Sequence, residues 1–401
     1  MIVSEIAVQI RGRIPASAIR AEDYVSTDNM RPNFGGIATS SSMPQSGNVT
    51  AYQVGDILLS NIRPYFRKTW LATHSGGCNA DVLCIRANPK KCLPQYLYYL
   101  FTTDNFVTDY LKSCKGAKMP RGDVNRLLNY EFNLPDLPTQ LRIAGVLGSI
   151  DEKIELNRKK IAELEALAKT IYDYWFVQLD FPDANGKPYK SSGGKMVWNE
   201  QLKREVPKGW GVVQLSSLCS ISTRQCSPGK MDSDLLEHYS IPAFDEGVYP
   251  SFDSPSEILS NKFVVPIGGI LYSKLNAQFK RIWDPLHLTE LPIASSEFVI
   301  YVPINPKLRG FVYATLNDER FYKFANSISS CSTGSRKRFT PETTNRFPVV
   351  VPTANGIAER FSTLCSDLLE SIRKCRIETQ ELKHTRDTLL PLLMNGQVVV
   401  G

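Results

Sequence analysis

The chain has 401 residues, enough for two or more domains, and 42% of them are hydrophobic, enough for each domain to bury a core. A formal net charge of +7 permits an anionic partner but lies far below that of histone-like proteins, so any nucleic-acid contact is expected to be local. Nine cysteines without a C-x-x-C pair and four scattered histidines exclude an obvious disulfide framework or zinc ribbon.

The start, MIVSEIAVQIRGR, lacks the apolar core of a signal peptide, and no apolar run is long enough to cross a bilayer, so a cytoplasmic location is expected. Residues 1–137 carry short β-rich runs such as DILLSNI and a helical run, LPQYLYYLFTTDNFVTDYL, and predict a mixed α/β domain. From Pro138 to Val177 the pattern is helical. Ile143, Ile150, Asn157, Leu164 and Ile171 recur every seven residues, and Leu147, Ile154, Ile161 and Ala168 fill a second seam. Residues 178–210 are polar and rich in Gly, Pro, Ser and Lys, the composition of a linker. A second mixed α/β domain follows, with EFVIYV and RFPVVV as strands, so that residues 178–352 form linker plus domain. Residues 353–401 hold a second heptad helix and a tail. Its seam is Phe361, Leu368, Cys375, Leu382 and Leu389, with a less apolar companion of Cys365, Ile372, Thr379 and Arg386, and Pro391 is expected to end or kink it.

The two halves repeat one another. At a constant offset of 213, Gly55, Ile57, Leu58, Ser60, Phe66 and Trp70 match Gly268, Ile270, Leu271, Ser273, Phe279 and Trp283. Weaker matches keep the same order: VSEIAVQI with LSSLCSIS, and NADVLCI with SSEFVIY. A period this long means a duplicated unit of domain plus helix. The fold class expected is α+β, with two similar domains, a pseudo-two-fold repeat, and the helices paired as an antiparallel coiled coil. The seam midpoints, Asn157 and Cys375, should then lie within about one helical turn, roughly 5.4 Å, of each other along the pair.

No phosphate-binding G-x-x-x-x-G-K-[ST] loop, methyltransferase tetrapeptide or hydrolase motif is present. Pro135-Asp136 with Asp151-Glu152-Lys153 satisfies a loose nuclease pattern, but Asp151 and its neighbours fall on the heptad helix, where a structural role is expected. The basic residues are more informative because both halves share them. Asn61, Arg63, Arg67 and Lys68 follow one apolar strand, and Lys274, Asn276, Lys280 and Arg281 follow its counterpart. A Gly-led basic loop then recurs: Gly116 with Lys118 and Arg121, and Gly334 with Arg336, Lys337 and Arg338. Such residues hold phosphates, and arginine also reads guanine edges. Tyr24, Tyr65, Tyr239 and Phe279 lie near these stretches, where they could pack on DNA or in the core.

YVSTDNM, GDILLSNIRPYFRK, the long segment from LPTQLRIAGVLGSIDEK to KTIYDYWF, VPKGW and YSIPAFDEG together resemble the specificity subunit of type I restriction-modification systems. The resemblance spans essentially the whole chain. It implies a target recognition domain in each half and a helix pair acting as a ruler. It implies no catalysis by this chain and no cofactor bound by it. It also implies double-stranded DNA as a partner, two modification subunits that use S-adenosylmethionine to methylate adenine, and restriction subunits that use ATP and magnesium. A seam of about 30 residues would span roughly 45 Å, about 13 base pairs at roughly 3.4 Å each. The alternatives are a stand-alone nuclease with a cryptic metal site and a coiled-coil adaptor that binds only protein.

Overall fold

The computed structural model describes residues 1–116, 118–330, 336–352 and 356–398. Two compact units result: Met1–Glu155 with Glu381–Gly401, and Leu156–Gln380. Each long helix is shared between them.

In the first unit the strands are β1 (Ala7–Gln9), β2 (Arg13–Pro15), β3 (Tyr24–Val25), β4 (Asn48–Tyr52), β5 (Ile57–Ser60), β6 (Thr69–Leu71), β7 (Gly76–Cys78) and β8 (Val82–Ala87). They form two sheets, β1-β8-β5-β6 and β2-β4-β7-β3. The helices are α1 (Pro94–Thr102), α2 (Asp104–Lys112), α3 (Val124–Leu128) and the first part of α4 (Leu137–Tyr172). Strand β5 is buried along its whole length. Ile57 and Leu59 face one core with Tyr96, Phe101, Leu147 and Leu390, while Leu58 faces another with Tyr52 and Cys84. A strand covered on both faces reads as a continuous apolar run, as DILLS does.

The second unit contains β9 (Met196–Asn199), β10 (Arg204–Pro207), β11 (Trp210–Gln214), β12 (Cys219–Ser222), β13 (Gln225–Cys226), β14 (Leu236–Tyr239), α5 (Ile241–Gly247), β15 (Ser251–Asp253), β16 (Lys262–Val264), β17 (Ile270–Ser273), β18 (Ile282–Trp283), β19 (Ile293–Ala294) and β20 (Phe298–Pro303). After these come α6 (Arg309–Leu316), α7 (Glu319–Ser327), β21 (Pro348–Pro352) and α8 (Ile357–Met394). The sheet β12-β20-β17-β18 has the strand order of β1-β8-β5-β6. The sheet β13-β16-β19-β14-β15 repeats β2-β4-β7-β3 and adds one strand. Both second sheets keep one parallel pair, β3 with β7 and β14 with β19. The repeat inferred from scattered identities is thus a repeat of topology. Gly55 and Gly268 precede the central strands with φ of 85° and 79°, a left-handed turn that favours glycine in both copies.

Segment 178–210 is not a loose linker. It holds the β9–β10 hairpin, and buried Phe181 stacks between Tyr189 and Trp210 at 4.7 and 4.8 Å. The helical pattern read as running to Val177 instead leaves the α-helix at Tyr172 and continues as one wider π turn, Asp173–Val177, which buries Trp175 and Phe176 against Phe361. Pro391 does not end α8, which continues one turn to Met394. Leu390 and Leu393 on either side are buried in the first unit's core, and that packing offsets the missing amide bond.

Every predicted seam residue is at least partly buried. In the second unit Asn157, 2% exposed, donates to Glu378 Oε2 at 2.8 Å, and Arg376 pairs with Glu165 at 2.9 Å. In the first unit Arg386 pairs with Asp151 at 2.9 Å. Within each unit the helices run antiparallel. Glu378 lies three residues beyond buried Cys375, about 4.5 Å of rise.

Candidate nucleic-acid interface

The basic segments of each half come together by the same backbone knit. After β5, Ser60 Oγ donates to Ile62 O at 3.0 Å, and after β17, Ser273 Oγ donates to Leu275 O at 3.1 Å. The chain then turns through a left-handed residue, Arg63 (φ 49°) or Asn276 (φ 51°). Its amide donates into the second basic loop: Arg63 N to Pro120 O at 2.8 Å, and Asn276 N to Lys337 O at 2.7 Å. Each loop is pinched at its base by a pair of amide bonds, Lys115 with Arg121 and Ser330 with Arg338. The closing arginine of each pairs with an acid from the neighbouring strand turn, Arg121 with Asp81 at 2.8 Å and Arg338 with Glu297 at 2.7 Å. The hydrogen-bonded Arg338 guanidinium holds the Glu297 carboxyl below the usual carboxylate range.

These pairings divide the thirteen predicted DNA contacts. Several side chains serve the fold. Asn61 Oδ1 accepts from Tyr110 Oη at 2.6 Å, and Arg67 pairs with Asp104 at 2.6 Å. Lys68 donates to Thr27 O at 2.6 Å, Arg281 grips Asp245 at 2.7 and 2.8 Å, and Lys280 donates to Asn317 O. Burial pushes the Lys68 and Lys280 ammonium groups below the ordinary lysine range. Asn276 Oδ1 accepts from Lys337 N at 3.1 Å. Facing solvent on the loops are Arg63, Lys118, Arg336 and Lys337, with Lys274 half-buried beside them. Gly334 lies outside the described residues.

The aromatic candidates divide too. Tyr24 and Tyr239 are core residues, and Tyr239 Oη accepts from Leu286 N at 2.6 Å. Tyr65 and Phe279 are exposed. Sequence reasoning did not single out Phe66 as a contact, although it had matched Phe66 to Phe279. It is exposed beside Tyr65, with ring centroids 4.7 Å apart.

The nuclease-like pattern comes apart in the structure. Asp136 Oδ1 caps the start of α4 by accepting from Thr139 N at 3.0 Å. Asp151 accepts from Tyr99 Oη at 2.8 Å and from Arg386 Nη1 at 2.9 Å. A cavity of 760 Å³ opens beside it, lined by Tyr98, Tyr99, Arg386, Leu390 and Met394 among others. Among the described residues no group of three or more His, Cys, Asp or Glu side chains is placed to hold a metal. Burial pushes the thiols of Cys78, Cys92, Cys219 and Cys365 up to about 12, which makes them inert core groups. No described helix is long and apolar enough to cross a membrane.

Comparison with known proteins shows what this chain is similar to. The family described as the type I restriction modification DNA specificity domain matches residues 19–166. The chain is 25% identical over 318 residues to the type I restriction enzyme MjaIX specificity subunit of Methanocaldococcus jannaschii, covering 76% of this chain and 69% of that one. It is 22% identical over 411 aligned positions to the HindI specificity subunit of Haemophilus influenzae, covering 87% of each. Its fold resembles the crystal structure of the S subunit of a type I restriction-modification system from M. genitalium, with TM-score 0.60 and 14% identity over 98% of this chain and 95% of that one. Over most of its length the chain is similar to specificity subunits of type I restriction-modification systems, and residues 19–166 match the DNA specificity domain of that family.

Proposed function

We propose that this chain reads a bipartite, asymmetric DNA target, one half-site with each unit, and brings to it partner adenine methyltransferase and restriction subunits. The observation that carries the reading is the repeated loop pair. One backbone arrangement is built twice, yet it presents Arg63 and Lys118 in one copy and Lys274, Arg336 and Lys337 in the other. Equal frames with unequal side chains suit two half-sites of different sequence, since base edges are read by side chains and phosphates by position. S-adenosylmethionine, ATP and magnesium then belong to the partners, of which two would be modification subunits.

Methylated adenines are mapped in DNA from cells that make this chain with its modification subunits. The expected result is one split sequence. Exchanging residues 211–350 for those of a relative should change one half of that sequence and leave the other. Loss of both halves together, with the protein folded, would contradict independent reading.

A further inference from the structure

Five of the six identities between segments 55–70 and 268–283 have a reason inside the fold. Gly55 and Gly268 make the left-handed turn. Ile57, Leu58, Ile270 and Leu271 are fully buried. Ser60 and Ser273 tie the strand end to the turn through their hydroxyls. Trp70 and Trp283 pack against the cores of the second sheets. The sixth pair has no such reason, because Phe66 is 39% exposed and Phe279 is 56% exposed.

Their surroundings are nevertheless the same. Each sits in the turn after the central strand, with its amide donating three residues back, Phe66 N to Arg63 O at 3.0 Å and Phe279 N to Asn276 O at 2.8 Å. Each has a cation two residues on that approaches its ring. Lys68 Nζ lies 5.8 Å from the Phe66 centroid, and Arg281 Cζ lies 5.3 Å from that of Phe279. Those cations are themselves anchored, to Thr27 O and to Asp245, and each lies over its ring while the ring stays partly exposed. Around this pair the loop has diverged. Asn61, Arg63, Pro64 and Tyr65 of one copy stand where the other has Lys274, Asn276, Ala277 and Gln278.

A phenyl ring has no donor or acceptor with which to tell base edges apart. It does have a flat apolar face, which packs on sugars and stacks or wedges at base steps with little regard to sequence. Duplication followed by divergence for different half-sites should change the residues that read bases and keep those that meet what all duplex DNA shares. We propose that Phe66 and Phe279 are matched apolar DNA contacts, one in each half-site, that supply affinity without sequence preference and leave reading to the positions around them.

The inference rests on the DNA-reading function proposed above, and one experiment separates the two. The full chain, assembled with its modification subunits, is titrated with a duplex carrying its mapped methylation site over a range of salt. Phe66→Ala and Phe279→Ala should each weaken binding about tenfold, by loss of one stacking contact. The slope of affinity against salt and the methylated sequence should both stay as in the wild type. Phe66→Trp and Phe279→Trp should bind within about threefold of wild type, since a larger ring still stacks. Thermal midpoints check the fold, and Phe→Leu, close in volume but not aromatic, replaces alanine should the alanine variants unfold. Unchanged affinity in the folded double variant overturns the inference, as does a loss accompanied by an altered methylated sequence or salt slope. A wild-type complex that methylates no defined sequence overturns instead the reading beneath it.

Discussion

Asn157 on α4 and Glu378 on α8 are joined by a 2.8 Å hydrogen bond inside an otherwise largely apolar seam. A buried polar contact of this kind favours one register, because sliding either helix leaves a polar group without its partner. Asn157→Ala should cost about 1–2 kcal/mol of stability, read as a lower denaturant midpoint by helical circular dichroism. Asn157→Asp places a second carboxyl beside Glu378 and should be worse at pH 7. Its deficit should shrink on acidification as that pair takes up a proton. An Asn157→Ala midpoint equal to wild type would show that the bond does not hold the pair.

Asp284 is buried between two arginines. It accepts from Arg373 Nε and Nη2 at 2.7 and 2.8 Å and also pairs with Arg309. Burial works against its charge, but the two guanidinium groups outweigh it and hold the carboxyl below its ordinary range. The folded state therefore binds its proton less readily than the unfolded chain. The contribution is complete above the unfolded value, about 3.9, and is lost as pH falls below it. Asp284→Asn leaves two partly buried cations undercompensated and should destabilise by about 3 kcal/mol. It should also flatten the acid limb of a stability-against-pH curve; an acid limb as steep as wild type would count against the assignment.

His238 and His287 should set a second, milder pH dependence. Burial lowers both below the ordinary histidine range, with Asp253, 2.7 Å from His238 Nδ1, opposing the shift at His238. The neutral imidazole is the folded form. Stability is thus full above about 6.5, the unfolded value, and falls as pH drops through and below it. Thermal midpoints between pH 7 and pH 5 should fall in the wild type and fall less in a His238→Gln, His287→Gln double variant.

The three basic residues of the second loop should behave differently from one another. Arg336 and Lys337 face solvent, whereas Arg338 is committed to Glu297. Replacing Arg336 and Lys337 by alanine should weaken DNA binding and lower the magnitude of the salt slope by about 2 if both meet phosphates. The melting temperature should not move. Arg338→Ala should reduce loop protection in hydrogen exchange and change the salt slope less. Equal slopes for the Arg336, Lys337 variant and the wild type would remove this loop from the interface.

Asp151→Ala should act on the fold. Its carboxylate joins Tyr99 on α1 to Arg386 on α8, and without it Arg386 loses its more buried acidic partner and keeps the more exposed Asp387. A loss of about 2 kcal/mol is expected. Magnesium-dependent DNA cleavage by the purified chain that this change abolished, without unfolding, would restore the nuclease reading.

What could be read in advance followed from periodicity. The seams were legible because a helix facing another helix must place apolar side chains every three or four residues, and even Arg386 on the poorer seam turned out to be partly buried. The repeat was legible because glycine, serine and buried strand residues each had a local reason to persist. The division of the basic residues was not legible. Arg281 finds Asp245 36 residues away, and Arg338 finds Glu297 41 residues away, at separations that only strand topology creates. Composition likewise described 178–210 as a linker, because Phe181 and Trp210 meet only after the chain has doubled back.

The knit of each loop pair has one more consequence. Its central bonds, Arg63 N to Pro120 O and Asn276 N to Lys337 O, run from main chain to main chain. Such bonds do not depend on which side chain the residue carries, provided that it tolerates the left-handed turn. The loops can therefore accumulate substitutions on their outer surface while their shape persists. If these loops read DNA as proposed above, new target preferences are reachable by single steps that leave the folded protein intact, and selectivity can drift faster than architecture.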